Sequence, residues 1–378
     1  MIIRQIPVEL TLNYTFGQEY DPEKIVFFDI ETTGFAAETT YLYLIGCIYQ
    51  KDSSFQMIQW FSEDIREEQK LLSLFFEFLK DYEVLIHYNG DGFDIPYLLK
   101  KCALYQLKYN FADMKSVDIY KKIAPVKKLF KLRNYKQKSI ETFLNIHRED
   151  TFDGGDLIQV YQSYLGKKRI ETLKKSRNPE AMAAAVMESE ELLKQLLLHN
   201  EDDLKGLVGI CPVLHYADLP DKPIRILQAG VDGDVLAIRF EIFPCLPVRV
   251  SCGSGFLYFS AYENTACLNV DTYEGELKYF YDNYKDYYYL PEEDTAIHKS
   301  LALYVDKEFR QKAKPSTCYI KKQGLFAPQY APVISPCFKK DFQDKLTFLE
   351  IHTDFLLQEK NLEQYVLHLF NHLLTTKD

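Results

Sequence analysis

The segment Ile25–Ile30, IVFFDI, constrains the chain more than any other. Its β-branched and aromatic residues run without a break, the pattern of a short, buried strand. The run ends in Asp29-Ile30-Glu31, and in extended chain residues i and i+2 point the same way. Both carboxylates therefore face one spot. Two uncompensated charges beside an apolar strand repel one another, and a divalent cation removes that penalty. A turn residue followed by an exposed Glu is the plainer reading of the same residues.

The neighbouring sequence supplies a sheet for this strand. Residues 41–50 and 54–61 read as two more strands joined by a polar turn at Lys51–Ser53. Arg66–Lys80 has helical spacing, with Leu71, Leu72, Phe75, Phe76 and Leu79 on one face. A fourth strand, 83–88, ends at Asn89-Gly90; a helix follows over about 93–107 and a short strand over 117–119. Further helices are expected at 139–145, 155–165 and 180–198, the last capped by Asn178 with Pro179 in its first turn. Consecutive strands followed by alternating helices and strands predict an α/β layer fold with a mixed sheet and flanking helices.

At about 150 residues per domain, 378 residues allow two or three domains. The link ADLPDKP, from Ala217, places a boundary between a domain at 1–217 and another at 218–378. The second half predicts an α+β domain. Its expected strands are 224–230, 235–243, 247–252 and 256–261, and its expected helices about 295–312 and 342–374. Its tyrosine-rich run Tyr279–Tyr289 is open to two readings, base stacking or the packing of a sheet edge. No function attaches to this half.

A net charge of −10 argues against a general nucleic-acid or membrane-surface binder. The sum hides an asymmetry: Lys101–Arg177 holds 18 Lys/Arg against 8 Asp/Glu. Lys121–Lys138 alone carries eight basic residues and no acid, and a second cluster follows at Lys167, Lys168, Arg169, Lys174, Lys175 and Arg177. A solvated helix face and a phosphate-tracking groove both fit such runs. No apolar run nears the roughly 18 residues needed to span a bilayer. The N-terminal sequence shows no export leader, so a cytoplasmic protein without membrane contact is expected. The eight cysteines form no CxxC pair and read as buried free thiols rather than a zinc site.

Two further acidic segments matter. Asp94 follows the fourth strand in HYNGDGFDIPYLL, at the mouth of a helix; the helix dipole alone is one reason for an acid there. In HNEDDLKGL, His199 and Asp203 lie four apart on one helix face, although a solvated acidic face has the same pattern. Together, Asp29, Glu31, Asp94 and Asp203 form a hard oxygen donor set suited to Mg²⁺ or Mn²⁺. Two such ions about 4 Å apart clamp the attacking and leaving oxygens of a phosphodiester.

The segments FFDIETTG, HYNGDGFDIPYL and HNEDDL resemble the three exonuclease motifs of the DEDD superfamily, which has a ribonuclease H-like fold. The likeness covers roughly residues 20–215 and is greatest to a bacterial branch with a ribonuclease H-like exonuclease domain. It implies that Asp29, Glu31, Asp94 and Asp203 hold two Mg²⁺ or Mn²⁺ ions and that nucleotides leave single-stranded DNA or RNA in the 3′→5′ direction. It also implies that Thr32, Thr33 and Gly34 lie beside the terminal nucleotide, with Asn89 and Phe93 bordering the cleft. Lys127, Lys128, Lys131 and Arg133 are the expected phosphate contacts.

One departure stands out. The superfamily carries a Tyr four residues before the last Asp or a His five before it, whereas His199 here has the Tyr-type spacing and Leu204 lies five beyond it. Such a histidine could orient or deprotonate the attacking water, or be a polar stand-in in an inactive protein that only binds nucleic acid or scaffolds a partner. Four converging acids favour the enzyme, since a pure binder has no need of them.

Overall fold

The computed structural model describes residues 1–17, 20–149, 154–174 and 179–376. Lys175 and Arg177 of the second basic cluster, and the expected cap Asn178, lie outside them. The chain divides into two compact units, residues 1–127 with 131–217, and residues 218–378 with 128–130.

The first unit is built on six strands: β1 (Ile2–Val8), β2 (Ile25–Thr32), β3 (Leu42–Lys51), β4 (Ser54–Phe61), β5 (Val84–His87) and β6 (Lys115–Asp118). They lie in the order β1-β4-β3-β2-β5-β6, antiparallel from β1 to β2 and parallel from β2 to β6. Strand β1 lies outside the expected elements. Its register alternates between half-buried and exposed, and Pro7, which removes one ladder donor, is tolerated because the strand is an edge. The β3–β4 hairpin turns on Asp52 and Ser53, both in the left-handed region at φ 50° and 60°.

The main helices of this unit are α1 (Glu68–Leu79), α2 (Asp94–Leu104), α3 (Ile119–Ile123), α4 (Gln137–Phe143), α5 (Gly154–Lys174) and α6 (Pro179–Gly209). The alternation of β2 decides which helices it faces. Val26, Phe28 and Ile30 join a core with α1, where the Phe28 and Phe75 rings stack with centroids 5.7 Å apart. Asp29 and Glu31 have the opposite parity, towards the side on which α6 packs. There Tyr43 and Phe61 of the sheet meet Leu157, Tyr161, Tyr164 and Leu196 of α5 and α6.

The second unit contains three three-stranded antiparallel sheets and the helix Glu359–Thr375. The runs 235–243 and 247–252 form one strand, Val235–Ser254, interrupted by register shifts rather than by a loop. The helix expected over 295–312 is absent. Thr295–His298 pairs with Tyr287–Leu290, a helix spans only Lys299–Ala302, and Gln311–Lys312 returns to the sheet. A helix there would have needed cover for Leu301, Leu303 and Tyr304, which stay exposed, whereas the strand buries Ala296 against Ala313 and Cys318.

Similarly, the expected helix from 342 to 374 is a strand at Thr347–Glu350 and helices at Thr353–Leu357 and Glu359–Thr375. The open edge of the strand Tyr319–Gln329 recruits the apolar run at Phe348 and Leu349. In the tyrosine-rich run, Tyr281 stacks on Tyr287 at 4.4 Å and both pack against that Ala–Cys cluster. All eight cysteines are free, but Cys245 is exposed, contrary to a buried set. Among the described residues no helix is long and apolar enough to cross a membrane.

Candidate active site

Asp29 lies opposite Gly46 on β3, and that glycine explains how closely α6 approaches. A Cβ at Gly46 would sit 2.1 Å from Asn200 Oδ1 and 2.6 Å from Leu204 Cδ1, both on α6. Without it, Asn200 Nδ2 donates to Asp29 Oδ2 at 3.0 Å. Asn200 is completely buried and is held by Gln59 Nε2 at 3.0 Å, while Arg4 donates to Gln59 at 2.8 Å and to Glu201 at 2.7 Å.

One turn along α6, His199 Nε2 lies 3.2 Å from Asp203 Oδ2 and 3.6 Å from Glu31 Oε1. Ligand atoms of Glu31, His199 and Asp203 all fall within 4.8 Å of one another. Asp203 has a second partner. The Arg148 guanidinium donates through Nη1 to Asp203 Oδ1 and through Nε and Nη2 to Glu141. Glu141 reaches this position because residue 206 is glycine; a Cβ there would lie 2.1 Å from Glu141 Oε1. Gln137 Nε2 closes the group, donating to Glu141 Oε1 at 2.9 Å and to the Asp203 carbonyl at 2.8 Å.

Asp94 opens α2 and is buried, outside the Glu31–His199–Asp203 group but near enough for its charge to act on Asp29. Its position is set by the turn before it, where Asn89 takes φ 61° and Gly90 approaches His87 so closely that a Cβ would lie 2.6 Å from Nδ1. The turn is fixed by Asp118, which accepts the N–H groups of Asn89 at 2.9 Å, Asp91 at 3.3 Å and Lys121 at 3.3 Å. His87 Nδ1 accepts from Gly90 N at 3.1 Å, so its Nε2–H donates to Ser116 Oγ at 2.7 Å, and Ser116 donates onward to Asp91 at 2.7 Å.

The electrostatics of the site follow from this placement. Burial pushes Asp29 well above the ordinary carboxylate range, and the charges of Asp203, Glu31 and Asp94 push it further. Burial also raises Asp94 to about 7, against hydrogen bonds from its own and the Ile30 backbone. Asp203 moves the other way. Burial opposes its charge, but the His199 hydrogen bond and the Arg148 guanidinium outweigh it and hold the carboxyl low. The cluster thus keeps excess negative charge that protons partly neutralise, the condition a bound cation would relieve.

A cleft of about 430 Å³ opens over Asp29, Glu31, His199 and Asp203. Thr32, Gly34, Phe35 and Phe93 line one wall and Lys136, Gln137 and Lys138 are also in its lining. Phe35 is 89% exposed, with its ring centroid 5.7 Å from that of Phe93. The loop carrying it is pinned from below: Lys101 donates to the Thr40 carbonyl and pairs at 2.9 Å with Glu68, a fully buried carboxylate that also accepts from Leu42 N at 2.6 Å.

Several expected contacts lie elsewhere. Thr33 is not in the cleft lining, because its N–H donates to the Tyr41 carbonyl and its hydroxyl accepts from Tyr41 N. The Thr32 hydroxyl donates to the Gly34 carbonyl at 2.9 Å. Asn89 borders a neighbouring groove instead. Of the basic run, Lys127 sits over two tyrosine rings, Lys128 belongs to the second unit, and Lys131 and Arg133 are exposed outside the cleft lining. Sequence reading missed Asn200, Arg148, Glu141 and Gln59. Asn200 adjoins His199 in an acidic run and offered a weak signal; Arg148 and Gln59 offered none, since each acts across a long separation in the chain.

The sequence model of the RNase_H superfamily matches residues 26–214. A DNA polymerase of Thermococcus litoralis is 26% identical over 192 residues, covering 48% of this chain and 11% of the polymerase. A DNA polymerase of Methanocaldococcus jannaschii is 40% identical over 48 residues, covering 13% of this chain and 3% of its own. The chain spans about a tenth of the length of the Thermococcus polymerases it matches. Among solved structures, the family B DNA polymerase of the archaeon Pyrobaculum calidifontis aligns with a TM-score of 0.32 at 13% identity, covering 70% of this chain and 35% of that one. The zinc-bound E. coli ExoI–ssDNA complex aligns at 0.27 and 12% identity, covering 57% and 54%.

Proposed function

This chain belongs to the RNase H superfamily, and from that premise we propose that it is a metal-dependent nuclease of the DEDD type, removing nucleotides from the 3′ end of single-stranded DNA or RNA. The observation that carries the reading is one cleft lined by Asp29, Glu31, His199 and Asp203, with the charge of the buried Asp94 acting on Asp29. The relatives named as DNA polymerases are consistent with work on nucleic acid.

In this reading Asp29, Glu31, Asp94 and Asp203 hold two Mg²⁺ or Mn²⁺ ions. When bound, such ions act as Lewis acids on the phosphate and lower the pKa of water. Asn200 and Arg148 orient Asp29 and Asp203, as outer partners of ligands commonly do. His199 stands beside the carboxylates with Nε2 3.2 Å from Asp203 Oδ2, and in this reading it orients the attacking water. Phe35 and Phe93 offer ring faces to the terminal base, and Lys136 and Lys138 offset phosphate charge. Residues 1–217 hold the chemistry, with 218–378 as a separate domain.

Incubation of 5′-labelled DNA and RNA oligonucleotides with protein and Mg²⁺ or Mn²⁺, beside an Asp29→Ala control, tests this. Ladders shortening from the 3′ end in the wild type alone support it. An absence of cleavage with every single-stranded, duplex and overhang substrate sinks it and leaves the binding-protein alternative.

A further inference from the structure

Next to the carboxylate cleft lies a second groove, about 440 Å³, lined by Tyr88, Asn89, Tyr120, Tyr135, Lys136 and Gln137. The two adjoin, for Lys136 and Gln137 line both. Its three tyrosines are half-buried, unlike Tyr43, Tyr161 and Tyr164 of the core. Two of them have their hydroxyls tied back. Tyr88 donates to the Tyr135 carbonyl at 2.6 Å and Tyr135 to the Lys127 carbonyl at 2.7 Å. With those hydroxyls engaged, and the Tyr88 and Tyr120 rings edge to face at 5.8 Å, half-buried aromatic rings line the groove.

A cation already samples that surface. Lys127 Nζ lies 4.0 Å from the Tyr120 ring centroid and 4.7 Å from that of Tyr135. Four of its six lining residues, Tyr120, Tyr135, Lys136 and Gln137, belong to the stretch whose 18 Lys/Arg outnumber 8 Asp/Glu in an otherwise acidic chain. Flat apolar faces beside mobile cations match one polymer in particular, a single strand whose bases stack while its phosphates follow the lysines.

We propose that this groove is a stacking subsite for internal nucleotides of the single strand whose 3′ end enters the carboxylate cleft. The assignment rests on the nuclease reading above and adds where the strand runs. A half-exposed cation–π contact is weaker than base–aromatic stacking, so an arriving base displaces the Lys127 ammonium from Tyr120 and leaves it to meet a phosphate. Stacking reads no base edge, so the subsite accepts any sequence.

The test is equilibrium binding of a 5′-labelled single-stranded oligonucleotide to the full chain in EDTA, which separates binding from hydrolysis. Tyr120→Leu, which keeps apolar bulk but loses the ring, is expected to weaken binding about tenfold to a hundredfold, and Tyr120→Trp to restore it. Abasic nucleotides are then scanned along the strand. At one or two internal positions an abasic site should reproduce the Tyr120→Leu loss and add nothing to it. Wild-type affinity in Tyr120→Leu overturns the proposal, as does an equal loss in both variants that ignores abasic position. Failure of wild type to bind any single strand overturns it too. The two readings fail separately: ring-dependent binding without hydrolysis sinks only the nuclease, and hydrolysis with ring-independent binding sinks only the subsite.

Discussion

Among its described residues, the first unit holds two clusters of histidine and carboxylate that resemble each other in composition and differ in how their charge is met. In His87, Asp91 and Asp118 the ligand atoms also lie within 4.8 Å. There, however, Asp118 accepts three backbone N–H groups, and Asp91 accepts from Ser116 and from Lys121 Nζ at 2.8 Å. Burial lowers the His87 pKa despite both carboxylates, keeping the ring neutral. Beside the other cluster, Glu31, His199 and Asp203, the carboxyls of Asp29 and Asp94 are driven up by burial and by neighbouring negative charge, while Asp203 itself is held low. One cluster is compensated by its own fold and shapes a turn; the other carries surplus charge at the base of a cleft. Proximity of ligand atoms alone does not separate them, whereas the state of their charges does.

That contrast can be broken by mutation. Asp29→Ala should lower hydrolysis by roughly a thousandfold or more, read as initial rates on labelled oligonucleotides, with little change in thermal midpoint. Asp118→Ala should do the reverse in kind. It strands three half-buried N–H groups and should cost about 2–4 kcal/mol by urea unfolding, while Mn²⁺ affinity falls less than in Asp29→Ala. Arg148→Lys keeps the charge but not the fork that joins Asp203 to Glu141, and Mn²⁺ affinity should fall about 10- to 100-fold.

The smallest effect is on pH dependence. Asp94, at about 7, keeps its proton in the folded chain over a range where an unfolded aspartate, near 3.9, has lost it. The folded state then binds more protons, so without divalent cations this group's contribution to stability falls as pH rises from about 4 to about 7 and is level above. Asp29, also raised, acts in the same direction. Asp203, held low, adds stability at neutral pH that is lost as pH drops through the acid range. Urea midpoints measured between about pH 4.5 and 7 should decline, and Asp94→Asn should flatten that decline.

How much of this was legible in the chain depends on the range over which each residue acts. The period-2 parity of β2 is local, so the shared face of Asp29 and Glu31 followed from IVFFDIET alone. The four-residue spacing on α6 gave His199 and Asp203 in the same way. Asn200 on Asp29 depends on Gly46, in a strand far away in sequence, and no spacing rule reports it. The basic run was visible as charge, but its residues around 124–136 follow no long helix or strand, so periodicity did not say that Lys136 would line the cleft and Lys131 would not. In the second unit, apolar spacing over 295–312 suggested a helix because the edge that captured it, Tyr287–Leu290, was itself unplaced.

The central claim is that the surplus charge of Asp29, Glu31, Asp94 and Asp203 is there to hold divalent cations. Calorimetric titration of Mn²⁺ into the wild type, Asp29→Asn and Asp118→Asn tests it most directly. The account predicts saturable binding in the wild type, retention in Asp118→Asn, and loss of about a hundredfold or more in Asp29→Asn, a ligand rather than an outer partner. Undiminished binding in Asp29→Asn, or a loss confined to Asp118→Asn, would contradict it.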